Sequence, residues 1–326
     1  MRKLTITLTI LLFFAIKTSA QPQKYYDLIQ QAVSRYNANH FDSATMFYKQ
    51  AFALQFPSNY RTFVSAAASA ARAGNRDLAF QWLDNAYQNG LPRPDNLLKS
   101  SDFTDLHTDS RWAEMSARLQ QRANESSQHW DTALHRKLLA INANDQEIRN
   151  EFEKAAEKAG GDPNNPILDS LKNVMAAHDS ADRIEIAPIL DSRGWPGINE
   201  VGPDACQVPF LVIQHSTDLS FMEKYLPMVL RAVKKGIISA GNLAYLEDRI
   251  ELRHARPQIY GTQANWDEKL NKSYISPMID PDNVDHRRAR LGLESMSDYA
   301  NRLRVTWDLV SYKKTLPDYQ KRLTPW

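Results

Sequence analysis

A repeat near the start of the chain limits its fold more than any other feature. Ala32, Asp42, Ala44, Tyr48 and Ala51 recur thirty-five residues later as Ala67, Asp77, Ala79, Leu83 and Ala86. Small residues at such spacings let paired helices approach closely, and a period of this length is that of a helical repeat. Asp42 and Asp77 are placed to cap the second helix of each pair, and Gly74-Asn75 to turn the chain within the second unit. The rest of the chain agrees. Glycine is scarce, with 11 residues, and long stretches consist of Ala, Leu, Gln, Arg, Glu and Lys, all good helix formers. Few runs alternate apolar and polar residues as a strand would. The expected fold class is all-α: helical repeats followed by a separate helical domain.

The stretch 24–90 resembles a tetratricopeptide array, one residue longer per unit than the usual form and without the tryptophan and glycine of its first helix. The resemblance implies a concave surface for a protein or peptide partner, or a face that packs on the remainder of this chain. Gly90-Leu91-Pro92-Arg93-Pro94 breaks the helices, Asp102–Gln121 reads as a short turn and a closing helix, and Asn124–Gln128 reads as a boundary. The expected organisation is a leader at 1–20, the repeat region at 21–123 and a second helical domain at 124–326.

The leader reads as a secretory signal. Arg2 and Lys3 precede an apolar run, Leu4–Ile16, and Thr18-Ser19-Ala20 is a small-residue cleavage site. The run is short for a membrane helix. The expectation is therefore an exported protein, periplasmic or secreted, with no membrane insertion after signal removal. Of 40 basic and 38 acidic residues, Arg2, Lys3 and Lys17 leave with the signal, so the mature chain is near neutral. No basic patch with interleaved aromatics argues for nucleic acid. Cys206 is the only cysteine, so no internal disulfide forms, and a small packed residue is its expected role.

In the second domain a long helix is expected from about Trp130 to Lys158, with Asp145, Gln146 and Arg149 interrupting its apolar side. Asp145 and Arg149 share a face, and as a surface pair they would matter only beside a cleft. Pro166–His178 and Ala181–Ser192 read as two further helices, stopped by Gly194-Trp195-Pro196-Gly197. Next comes a helix around Val208, which Pro209 either kinks or starts. Leu211, Val212 and His215 fall on one stripe of it at about 100° per residue. Helices at Leu219–Lys235, Asn242–Leu252 and Met296–Leu309 follow. Asp248 and Arg249 lie beside an apolar stripe, where charge must be paired. Asp218 either orients His215 or caps the next helix. A structural ion pair and a satisfied core histidine would explain these residues as well as a site would.

Taken together, Asp145-Gln146-x-x-Arg149, Gly194-Trp195-Pro196, Gln214-His215, Asp248-Arg249, Gln258-x-Tyr260-Gly261-Thr262-Gln263 and Asp285-x-x-Arg288-x-x-x-Gly292-Leu293 resemble a bacterial family, domain of unknown function 6624. The likeness covers about Trp130–Ala300. The family carries no known activity, so the resemblance implies none. It does imply that these polar positions are the family's hallmark.

Two classes of function follow. In one, a polar pocket binds an unidentified ligand through Asp145, Gln146, Arg149, Gln214, Asp218, Gln258, Tyr260, Gln263 and Arg288, while the repeats recruit a partner. In the other, the domain is a cell-envelope enzyme of hydrolase or lyase type. His215 is then general acid or base, Asp248 or Asp218 orients it, and Arg149, Arg249 or Arg288 holds an anionic group. No complete catalytic constellation is legible, which favours binding. No cofactor is expected: zinc-type spacing, P-loop, dinucleotide fingerprint and nucleophile elbow are all missing from the sequence, and His215, Asp218 and Asp248 are too few for a metal site.

Overall fold

A computed structural model describes residues 22–91, 95–159, 165–267 and 272–323; the signal-like leader lies outside the described residues. The chain is almost entirely helical, with one two-stranded hairpin among the described residues. It divides into two compact units. One contains the described residues up to Leu119 together with Pro257–Leu323, and the other contains Gln120–Arg256.

Alanine sets the packing of the first unit. Helix α1 spans 22–37, followed by α2 (Phe41–Ala53), α3 (Tyr60–Arg72) and α4 (Arg76–Gln88). Ala32, Ala44, Ala51, Ala67, Ala79 and Ala86, every alanine of the repeat, are fully buried, and so are Tyr48 and Leu83. Helix α3 packs against both α2 and α4. Gly74 takes the left-handed conformation (φ +74°) that lets the chain turn after α3. Asn75, one position further, caps α4 by accepting from the Leu78 backbone N–H at 3.3 Å. Asp42 and Asp77 do not cap as expected. They lie inside the first turns of α2 and α4, where a carboxylate still favours the helix dipole, and Asp77 pairs with Arg111 at 2.8 Å. A short α5 (Asp95–Lys99) and a 3-10 turn (Ser101–Leu106) lead into α6 (Arg111–Ser127). Helix α6 runs almost through the stretch expected to be a boundary.

The same unit is completed from the far end of the chain, through a break at Pro257 that the local sequence pattern does not announce. Strands β1 (Ala264–Asp267) and β2 (Lys272–Ile275) pair antiparallel, Ala264 opposite Ile275. Helices α13 (Val284–Arg290), α14 (Met296–Arg302) and α15 (Leu309–Gln320) follow the hairpin. Gln30 on α1 donates to the Leu293 carbonyl at 2.9 Å, and Arg290 donates to Gln23 at 2.8 Å. These contacts tie the first helix to a segment more than 250 residues away in sequence. The single helix expected over 296–309 is two helices instead. Arg304 takes a positive φ of 57°, and Asp308 caps α15 by accepting from Ser311 N–H at 2.7 Å.

The second unit holds α7 (Thr132–Lys158), α8 (Pro166–Arg193), the single turn α9 (Ile198–Val201), α10 (Val208–His215), α11 (Leu219–Lys234) and α12 (Ala240–Arg253). Asp131 caps α7 by accepting from the Leu134 N–H at 3.0 Å. Pro209 sits in the first turn of α10 and marks its start. The two helices expected over 166–192 are one. His178, Asp179 and Ser180 read as a break because such residues cap helices, yet here Asp179 points inward and is paired there, so the backbone ladder continues. Helix α7 packs on α8, and α10 on α7, α8 and α12. Among the described residues no helix is long and apolar enough to cross a membrane.

Candidate functional site

Three helices of the second unit each place a polar residue on the stripe that elsewhere faces the core. On α7 the buried series runs Leu134, Leu138, Ile141, Asp145, Ile148. On α8 it runs Asp179, Asp182, Ile186, Leu190. On α10 the stripe that includes Val208 and Val212 ends at His215. Because these helices pack on one another, the three substitutions of polar for apolar meet. Asp145 is 3% exposed, and the Asp145–Arg149 pair expected on the surface is internal.

The hydrogen bonds there are specific. Asp145 Oδ1 accepts from Arg149 Nε at 3.0 Å, and its Oδ2 accepts from Gln146 Nε2 at 2.7 Å. His215 Nδ1 lies 2.9 Å from Asp145 Oδ1. Arg149 Nη2 reaches Asp179 Oδ1 at 2.5 Å, so one guanidinium bridges two helices. Arg249 on α12 donates to the Gln214 carbonyl at 2.6 Å, beside His215, and its charge is felt at Asp179. Asp248 is fully buried on the same helix.

The three carboxylates differ in how they are balanced. Burial pushes Asp145 up, but the hydrogen bond and charge of His215, with Arg149 and Gln146, outweigh it and hold the carboxyl below its ordinary value. Burial raises Asp179, and the charge of Arg149 offsets this only in part. Burial, together with repulsion from Asp145 and Asp179, lifts Asp182 to about 6. Asp145 is therefore an ionised orienting group and Asp182 the carboxyl that most resists ionisation.

Asp145 bonded to His215 Nδ1 fixes the ring and directs Nε2 away from the carboxylate. That is the arrangement in which a carboxylate holds an imidazole as a base. Nε2 has no hydrogen-bond partner among the described residues, and the His215 side chain keeps 16% of its surface. One donor atom each of Asp145, Asp179 and His215 lie within 4.8 Å of one another, a spacing that a cation can span. The Arg149 guanidinium, however, already bridges Asp145 and Asp179. A dication between them would compete with that guanidinium for the Oδ1 atoms it already holds.

The other expected site residues do different work. Asp218 takes the second of its two expected roles, capping α11 through the Phe221 N–H at 3.2 Å, and pairs with Arg183 at 3.0 Å; the carboxylate bonded to the ring is Asp145. Gln258, Tyr260, Gln263 and Arg288 belong to the other compact unit. There Gln258, fully buried, donates to the carbonyls of Gln263 (3.0 Å) and Ser276 (2.7 Å) and accepts from the Gln263 N–H (2.9 Å). Arg288, also fully buried, donates to the carbonyls of Tyr260 (2.8 Å) and Glu294 (2.7 Å). These bonds brace a loop. Gly261 within that loop has φ +71°, and a Cβ at this position would meet Met296 Sδ at 2.8 Å, so only glycine fits. Sequence reasoning missed Asp179 and Asp182. Extending the Ile186–Leu190 stripe back by four and then three residues reaches both.

No curated protein and no solved structure matches the chain. The sequence profile of a family of unknown function, DUF6624, matches residues 132–311, more than half of the chain and a span that holds both the acidic cluster and the braced loop, and the chain belongs to that family.

Proposed function

We propose that the second unit is an acid–base enzyme in which Asp145 orients His215 and His215 Nε2 takes a proton from substrate or water. The observation that carries this reading is the bond from His215 Nδ1 to a buried carboxylate held ionised, with Nε2 unengaged. The His215 side chain keeps 16% of its surface, so substrate or water can reach the ring nitrogen that the carboxylate leaves open. Catalysis therefore outranks simple ligand binding, and hydrolase or lyase chemistry suits the groups present. Arg149 and Arg249 keep Asp145, Asp179 and the Gln214–His215 backbone in register.

The reading extends to the rest of the chain. The alanine-lined helices up to Gln88 act as a tetratricopeptide-like scaffold for a protein or peptide partner, and the leader sends the protein out of the cytoplasm. Both rest on sequence pattern. The catalytic proposal is tested by screening metabolites and cell-wall fragments for turnover by wild type and His215→Ala. A positioned acid or base typically contributes about 10²–10⁴-fold. Turnover reduced on that order, in a variant that stays folded, is expected; a variant that turns over a substrate as fast as wild type would overturn it.

A further inference from the structure

Asp182 has no hydrogen-bond partner among the described residues, although it is only 7% exposed; its Oδ2 atom is fully buried and unsatisfied. A buried polar atom left unpaired loses its hydration with nothing in return, so the arrangement calls for an explanation. Its sequence neighbour does not neutralise it: Arg183 spends its guanidinium on Asp218 and on Ser180 Oγ, each at 3.0 Å. The charges that act on Asp182 are Asp145 and Arg149 from α7 and His178 and Asp179 from its own helix. His215 on α10 and Arg249 on α12 act in turn on Asp179, one turn away from Asp182 on α8. Arg149 is committed to the other two carboxylates, through Nε to Asp145 and Nη2 to Asp179. Three carboxyls thus share one bridging guanidinium, and the carboxyl left over is Asp182.

We propose that Asp182 is the proton-bearing acid of this site, complementary to the base His215, and that the substrate presents it with a leaving oxygen. This rests on the acid–base reading of His215. Asp182 gives its carboxyl proton to that oxygen as the bond between oxygen and substrate carbon breaks and its electron pair moves to the oxygen. His215 Nε2 takes the proton released by the attacking water or by the adjacent carbon. Solvent then removes the proton from His215 and returns one to Asp182. Two groups with opposite proton demand in one site are how a single fold runs acid and base steps together. The pull of burial and of the two neighbouring carboxylates on Asp182, which lifts it to about 6, keeps a share of it protonated near neutral pH.

The test uses the intact protein and an α-aryl diazoacetamide, which esterifies carboxylic acids and not carboxylates. The reagent carbon takes the carboxyl proton, the carboxyl oxygen bonds to that carbon, and dinitrogen leaves. Peptide mass spectrometry maps the ester. Asp182 should be the main site within the cluster, with labelling that falls about 50-fold from pH 6 to pH 8, as expected for a group titrating near 6. Asp182→Asn should lose the label and His215→Ala should keep it. An acid buried for structure alone would be protonated yet out of reach, so an unlabelled Asp182, or labelling that ignores pH, overturns the proposal. Diethyl pyrocarbonate, which acylates an unprotonated imidazole nitrogen, reads His215 separately. Acylated His215 with unlabelled Asp182 refutes this inference and leaves the base reading standing; labelled Asp182 with unreactive His215 refutes the base reading and, with it, the pairing of acid and base, leaving only a reachable protonated carboxyl.

Discussion

The polar motif residues do two different things in the two compact units. Around Gln258 and Arg288 the polar side chains are spent on the backbone: Gln258 uses both its amide groups on one loop, and Arg288 reaches two carbonyls from a fully buried position. Around Asp145 and His215 the side chains bond to one another across three helices. The first pattern specifies a loop conformation. The second stores unbalanced charge, which is how catalytic groups acquire shifted proton affinities. A polar position can therefore be a family hallmark for either reason, and the partner it meets distinguishes them.

The largest expected effect breaks the braced loop. Arg288→Ala removes two charge-assisted bonds and the stacking on Tyr299, and should lower the unfolding free energy by about 3–5 kcal/mol in chemical denaturation. His215 should remain as reactive toward diethyl pyrocarbonate as in wild type. Loss of that reactivity in a folded variant would undo the division between brace and chemistry.

Asp182→Asn should act in the opposite direction. The folded-state value of about 6 lies above the ordinary 3.8, so the folded state binds more protons and stability falls as pH rises between the two. Asparagine escapes that penalty. The variant should gain up to about 3 kcal/mol above pH 7 and nothing below about pH 3, where the carboxyl is largely protonated in both states. Asp145 has the reverse sign. Its lowered value contributes stability above its ordinary range that is lost as pH falls. Denaturation curves of Asp182→Asn and Asp145→Ala against pH separate the two.

Smaller effects sharpen the picture of the cluster. His215→Ala should change stability by less than about 1 kcal/mol, because Asp145 keeps Arg149 and Gln146. Millimolar Mg²⁺, Mn²⁺ or Zn²⁺ should leave the Tm within about a degree. A bound ion at about a hundred times its Kd would add about 2.7 kcal/mol, a shift that would show Arg149 giving way to metal.

Helical character was legible because alanine spacing and composition are local properties. Ala32, Ala44, Ala51, Ala67, Ala79 and Ala86 are all buried. Other features depend on what a residue meets in three dimensions. The His178-Asp179-Ser180 stretch looks like a helix break until Arg149, thirty positions away, is seen to satisfy Asp179. The break at Pro257 was illegible because nothing in the local pattern says that α1 bonds to Leu293 and Arg290. His215, Asp145 and Arg149 could be named from sequence, and so could the Asp145–Arg149 pair, but not the bond from Asp145 to His215. The two candidate orienters, Asp218 and Asp248, were chosen for nearness in the chain or motif, and the one that reaches the ring comes from another helix.

The central claim is that Asp145 holds His215 with a proton on Nδ1 and a free lone pair on Nε2. Long-range ¹⁵N–¹H correlation spectra of histidine-labelled protein at about pH 8.5, above the ordinary histidine range, read this tautomer directly. The account predicts a neutral His215 protonated at Nδ1, and loss of that preference in Asp145→Ala. A ring protonated at Nε2 in wild type, with Nδ1 accepting, would contradict it.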